Sequence, residues 1–234
     1  MKLQSKFTEI AVFLASFFIL LLPPILANPS GENRFTTWNF PLQNLILAAT
    51  AVLLLLINKS LHNKETQQNN VTNFCDNAKS KTLILLINGG TMFFTFGMLL
   101  IYGILLQLFA SFVLNLPPLS DTKVLLPSGI TQIFFCILMF ACAAFYEEAI
   151  YRKYIQESLE WLISKEDKKI VLAIELISAL LFSLCHRYNG QIAVVNAFGA
   201  HFILRHCALK TNGIVAGTIA HFLYNIATLF VLSA

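Results

Sequence analysis

Long apolar runs separated by short polar ones dominate this chain, at about 7–27, 41–58, 82–114, 129–151, 170–186, 190–207 and 213–233. Each approaches the roughly 20 residues an α-helix needs to cross a bilayer. The pattern therefore predicts an all-α, polytopic integral membrane protein of about seven transmembrane helices. The third run is the longest, and Gly89, Gly90, Gly97 and Gly103 within it allow strong tilt, a kink or a break. The stretch 58–81, rich in Asn, Gln and Lys, reads as a flexible cytoplasmic loop between two halves, and 115–128 as a proline-bearing outer loop. Residues 151–169 are different again. Ile155, Leu159, Leu162 and Ile163 share one face with Trp161 beside them, which predicts an amphipathic hairpin at the membrane surface joining two spans.

Composition agrees with lipid as the solvent. The chain is 57% hydrophobic and 12% charged, with mean hydropathy +0.70, whereas soluble domains carry about 25% charged residues. With the N-terminus in the cytoplasm, only Arg34, Lys123 and Arg187 of the 16 Lys and Arg fall on the outer side. The net charge of +4 thus reflects topology, and no aromatic-interleaved basic patch for nucleic acid is present. Lys2 and Lys6 ahead of an apolar core resemble a leader. The apolar stretch from Ile10 to Leu26 is too long for one, and Ile25 is a poor residue near a cleavage point at Ala27, so a retained first helix is expected. The five cysteines, Cys75, Cys136, Cys142, Cys185 and Cys207, contain no C-x-x-C and suggest no disulfide framework. The sequons at Asn58 and Asn70 fall in the expected cytoplasmic loop and read as chance matches. Heavy Asn and Lys use is that of an AT-rich bacterial genome, which points to a bacterial inner membrane.

Against this background the ionisable residues inside apolar segments stand out, because each costs a few kcal/mol to insert. Gly129 to Ala144 carries no charge, and then Glu147, Glu148 and Arg152 follow. Glu148 and Arg152 are four apart and share a helix face, while Glu147 is turned about 100° away. The simplest assignment pairs Glu148 with Arg152 and leaves Glu147 free for chemistry; the plain alternative is a span end where acids and bases meet water. His186 closes Phe182-Ser-Leu-Cys-His186, and Cys185 beside it points elsewhere, so a thiol dyad is disfavoured. His221 and Asn225, again four apart, lie in Gly213–Ala234, a segment with no charged residue. Each of these alone is as well explained by a structural hydrogen bond.

Together, on three spans of one half, they suit amide hydrolysis. A Glu can act as general base for water, a His can orient that water, and a His with an Asn can donate to an oxyanion. A Glu with two His could instead hold Zn²⁺ and leave a position for water, although H-E-x-x-H is absent.

Glu147-Glu148-Ala-Ile-Tyr-Arg152 resembles the EExxxR motif, Phe182 to His186 the FxxxH motif, and His221 to Asn225 the HxxxN motif of the CPBP intramembrane protease family. That family includes the type II CaaX prenyl endopeptidases and Abi-like proteins. The resemblance covers roughly 125–234, with the motifs in order on successive apolar segments. It implies a C-terminal four-helix catalytic core, hence a division into N-terminal transmembrane helices (1–120) and a CPBP-like intramembrane catalytic domain (121–234). It implies peptide-bond hydrolysis in the membrane, on a membrane-associated protein or a CaaX-like C-terminal substrate. Glu147 and His186 would activate water, His221 and Asn225 would stabilise the oxyanion, and Glu148 and Arg152 would support the site. A divalent metal such as Zn²⁺, if used, would sit on Glu147, His186 and His221. His201 and His206 lie outside the motifs and read as structural or interfacial.

The hydropathy boundaries put Glu147 near the cytoplasmic end of its span and His186 near the outer end of the next. A shared site needs one depth, so either the Glu147 helix runs on through the amphipathic stretch or the His186 span starts below the surface. Two other functions fit the composition. A non-enzymatic immunity or interaction protein would keep the pocket without the chemistry. A transporter would spread polar residues along several spans, and here they cluster in three motifs.

Overall fold

The computed structural model describes residues 2–27, 38–66, 78–115, 125–163 and 167–233, and among these it contains helices and no strand. Seven continuous helical runs result: α1 (Lys2–Leu26), α2 (Leu42–Thr66), α3 (Ala78–Phe112), α4 (Ile130–Ile163), α5 (Lys168–Leu184), α6 (Gln191–Thr211) and α7 (Val215–Ser233). Five of them, α1, α2, α3, α4 and α6, are long and apolar enough to cross a membrane; α5 has 17 residues, and α7 offers the shorter apolar stretch Val215–Val231. The four glycines do not break α3, which is one helix of 35 residues. The expected loop at 58–81 is shorter than its composition suggests. Helix α2 continues to Thr66 and α3 begins at Ala78, and the rest of that loop, with Asn70 and Cys75, lies outside the described residues. The remaining four cysteines are free thiols.

The amphipathic stretch is the main correction. Residues 151–163 are not a separate surface helix but the continuation of α4. Its apolar face meets protein, not the membrane surface: Tyr151, Tyr154 and Ile155 are buried in one cluster with Leu21 of α1 and Ala51 and Leu54 of α2, and Leu159 packs against it. Polar links from α1 and α2 fix the same extension. Asn58 donates to Glu157 at 2.9 Å, and Ser16 and Tyr154 share a hydroxyl contact at 3.3 Å. Only the far end keeps an interfacial character, with the Lys6 ammonium over the Trp161 ring at 5.9 Å. The first two helices are therefore a brace for α4 as well as spans.

Inside α4, Glu148–Tyr154 is π-helical, and the Ile155 amide donates to the Ile150 carbonyl five residues back. Such a turn carries one extra residue and re-aims the side chains around it. Neighbouring helices supply donors to its carbonyls: Ser178 of α5 donates to the Tyr151 carbonyl at 2.7 Å, and Arg205 of α6 to the Arg152 carbonyl at 3.1 Å.

Two connections set the helices that face α4. Asp167 caps α5, accepting from the Lys169 amide at 2.8 Å. After α5 the chain turns through Arg187–Asn189 and starts α6 at Gly190, whose φ of 96° favours glycine. On the opposite side α3 is locked to α6 and α7. Tyr102 donates to the Val195 carbonyl at 2.7 Å and lies where a Cβ on Gly199 would stand. Asn196 donates to the Tyr224 hydroxyl at 3.1 Å.

Candidate active site

Helices α4, α5 and α7 bring the three motifs to one place. Glu147 is the last residue before the π-helical turn, and Glu148 is its first. Glu147 faces a partly open space, its side chain 20% exposed, while Glu148 is sealed at 0%. The depth conflict is resolved by the continuation of α4, which removes the surface boundary at 151. The Glu147 Oε2 to His186 Nε2 distance is 3.8 Å, and His221 Nε2 is 3.6 Å from the same oxygen.

Both imidazoles are anchored through their other nitrogen. His186 sits just past the end of α5, and its Nδ1 lies 2.8 Å from the Phe182 carbonyl. A carbonyl only accepts, so Nδ1 carries the proton and the free Nε2 faces Glu147. His221 Nδ1 lies 3.0 Å from Glu148 Oε1, and the same logic aims its Nε2 at Glu147. Glu147 Oε2 itself is buried without a hydrogen-bond partner. Three polar atoms thus converge from three helices with nothing between them assigned to structure.

Glu148 is the hub beneath. Its Oε1 takes His221 and also lies 3.5 Å from Arg152 Nη1, the pairing that the spacing predicts. The arginine lies over the Phe182 ring, with Cζ 3.9 Å from the centroid. Phe182 in turn meets the His186 ring edge-on at 4.7 Å. The aromatic of the FxxxH motif therefore carries both the guanidinium and the histidine, through its ring and its carbonyl.

Sequence reasoning missed three features here. The contact of His221 with Glu148 is one. Gly217, one turn before His221, is another: a Cβ there would stand 3.2 Å from Glu148 Oε2, so the carboxylate occupies space that only glycine leaves open. The third is an ion network on α5 and α6. Glu175 accepts from Arg205 Nε at 3.0 Å and lies 3.1 Å from His201 Nε2. The four-residue spacing of His201 and Arg205 was the available signal. His201 is fully buried, and His206 is exposed.

Asn225 lies one turn beyond His221 on α7 and is half-buried. Among the described residues its side chain makes no hydrogen bond; only its backbone carbonyl is engaged, by Thr228 at 3.0 Å. The metal reading of Glu147, His186 and His221 finds no support. Among the described residues no group of three or more His, Cys, Asp or Glu is arranged to hold a metal ion.

No curated protein and no solved structure matches the chain. A sequence model described as Rce1-like, type II CAAX prenyl endopeptidase, matches residues 129–227. That range runs from the start of α4 to within α7 and holds all three motifs and every side chain of the site. Over those residues the chain is similar to the Rce1-like family of type II CAAX prenyl endopeptidases, and among the described residues five helices are long and apolar enough to cross a bilayer.

Proposed function

We propose that this protein is an intramembrane endopeptidase that hydrolyses a peptide bond in a membrane-associated protein or a CaaX-like C-terminal segment. The observation that carries the reading is the convergence of Glu147 Oε2 with the Nε2 atoms of His186 and His221, at 3.8 and 3.6 Å. Glu147 takes a proton from a water that His186 orients, and the water oxygen attacks the carbonyl carbon. The carbonyl oxygen becomes an oxyanion, to which Asn225 and His221 donate. His221 does so through Nε2, with Nδ1 held on Glu148 Oε1 at 3.0 Å. As the C–N bond breaks, the proton held by Glu147 passes to the leaving nitrogen, so one water is consumed and Glu147 is restored. Arg152 and Phe182 hold Glu148 and His186 in place. The site lies in a membrane with the N-terminus in the cytoplasm, as the Lys and Arg distribution favours, and the heavy Asn and Lys use favours a bacterial inner membrane.

The test is cleavage of tail-anchored and CaaX-ending reporter peptides, prenylated and not, by the protein reconstituted in liposomes. Wild type should cleave at least one class, and His186→Ala should cut the rate by about 10²–10⁴-fold, the usual worth of a positioned proton-transfer group. Unchanged cleavage by His186→Ala would contradict the assignment.

A further inference from the structure

Glu148, Arg152, Gln156 and Glu160 recur every fourth residue of α4 and so form one strip of the helix. The first three are sealed, at 0%, 2% and 2% exposure. Arg205 lies across the strip: its Nη1 donates to the Arg152 carbonyl at 3.1 Å, and its Nη2 is 3.9 Å from Glu160 Oε1. Gln156 falls between those two contacts. Behind Arg205 stands Glu175, whose Oε2 is 3.0 Å from Arg205 Nε, and His201 Nε2 lies 3.1 Å from the other Glu175 oxygen.

Along this strip polar atoms go without hydrogen-bond partners although they are buried. They are Glu147 Oε2, Glu148 Oε2, Arg152 Nε, Nη1 and Nη2, Gln156 Nε2 and His201 Nδ1. Arg152 meets Glu148 only as an ion pair at 3.5 Å. Such orphans are rare and costly in a dry interior, and buried water is their usual partner, one molecule serving two to four polar groups. The strip reaches partly exposed side chains at its far end, 21% at Glu160, 17% at Glu175 and 15% at Arg205, as it does at Glu147, 20% exposed. From Glu160 to Glu148 is twelve residues, about 18 Å of helix.

We infer that this strip is a hydrated path that conducts water from the Glu160 end of α4 to Glu147. The inference rests on the hydrolase reading, since hydrolysis consumes one water per bond cut. Gln156 lies on the path between its Glu160 end and Arg152, where an apolar side chain of similar size would interrupt the file.

Pulsed X-ray radiolysis of the full chain in liposomes, read by mass spectrometry, tests it, because hydroxyl radicals form from water next to the side chain they oxidise. His201, fully buried, should be oxidised within about threefold of exposed His206, while Phe140 in its apolar cluster stays protected. Gln156→Leu should lower His201 oxidation and kcat together, by about fivefold or more, with KM unchanged, and Gln156→Asn should retain both. His201 as protected as Phe140 would mean the strip is dry and overturn the inference. So would Gln156→Leu with both readouts unchanged. A chain that cleaves no reporter yet oxidises rapidly at His201, and loses that oxidation in Gln156→Leu, supports the path and removes the hydrolase reading instead.

Discussion

His221 and Arg152 meet on one carboxylate oxygen: Glu148 Oε1 lies 3.0 Å from His221 Nδ1 and 3.5 Å from Arg152 Nη1. A histidine from α7 and an arginine from α4 are thereby set by a residue that does not face the open space. Glu148→Ala should leave Arg152 buried without its counter-charge, and removing one partner of such a pair costs about 3–5 kcal/mol. Glu148→Gln keeps an acceptor for His221 and should lose less. Unfolding of both variants in mild detergent, compared with wild type, measures the difference, and a smaller loss for Ala than for Gln would contradict the shared-oxygen account.

Gly217 makes room for that carboxylate. Gly217→Ala places a methyl 3.2 Å from Glu148 Oε2, so the carboxylate must shift and carry His221 with it. Overpacking of this kind costs about 1–3 kcal/mol. The expected outcome is a kcat lowered by about tenfold with KM little changed, as suits a displaced catalytic group. Wild-type kinetics in Gly217→Ala would show that Glu148 has slack.

Phe182 should behave as more than an apolar filler. Arg152 lies 3.9 Å above its ring and His186 meets it at 4.7 Å. Phe182→Leu keeps much of the volume and loses the cation–π contact, worth about 2 kcal/mol where it is desolvated. Phe182→Trp, with a stronger ring face, should preserve the charge contact while straining the space. Thermal midpoints should fall for Leu, and the rate should fall with them because His186 loses its ring neighbour.

Asn225 separates role from structure most cleanly. It is half-buried and its side chain holds nothing among the described residues. Asn225→Ala should therefore leave the thermal midpoint unchanged while lowering kcat by about 10²–10³-fold, the usual cost of an oxyanion donor. A loss of stability with normal kcat would assign Asn225 to the fold.

The three motifs were legible because helical spacing alone sorts their side chains: Glu148 with Arg152, His221 with Asn225, and Glu147 apart. Their common depth was not. Hydropathy ended the span at 151 because Arg152, Lys153, Gln156, Glu157 and Glu160 follow, and it has no means of knowing that Arg205, Asn58 and Lys153 itself partner them. For the same reason the first two helices read as plain hydrophobic spans. Glu9, Ser16 and Asn58 are buried inside the molecule, and the latter two hold the far half of α4. Glu175 went unnoticed as a single acid in an apolar run, since its meaning depends on His201 and Arg205 from another helix. The π-helical turn has no sequence signal of this kind; it shows in the Ile155 amide bonded to the Ile150 carbonyl and in the donors that Ser178 and Arg205 send to its carbonyls.

The central claim is that Glu147 is the base. Glu147 Oε2 makes no hydrogen bond and its side chain is 20% exposed, so Glu147→Gln removes a negative charge without breaking a hydrogen bond at that oxygen. The most direct measurement is single-turnover cleavage of the reporter peptide by Glu147→Gln in liposomes beside wild type, with thermal unfolding of the same preparations. The expected result is an unchanged unfolding midpoint and a rate lowered by about 10²–10⁴-fold. Cleavage at the wild-type rate by a folded Glu147→Gln protein would contradict it.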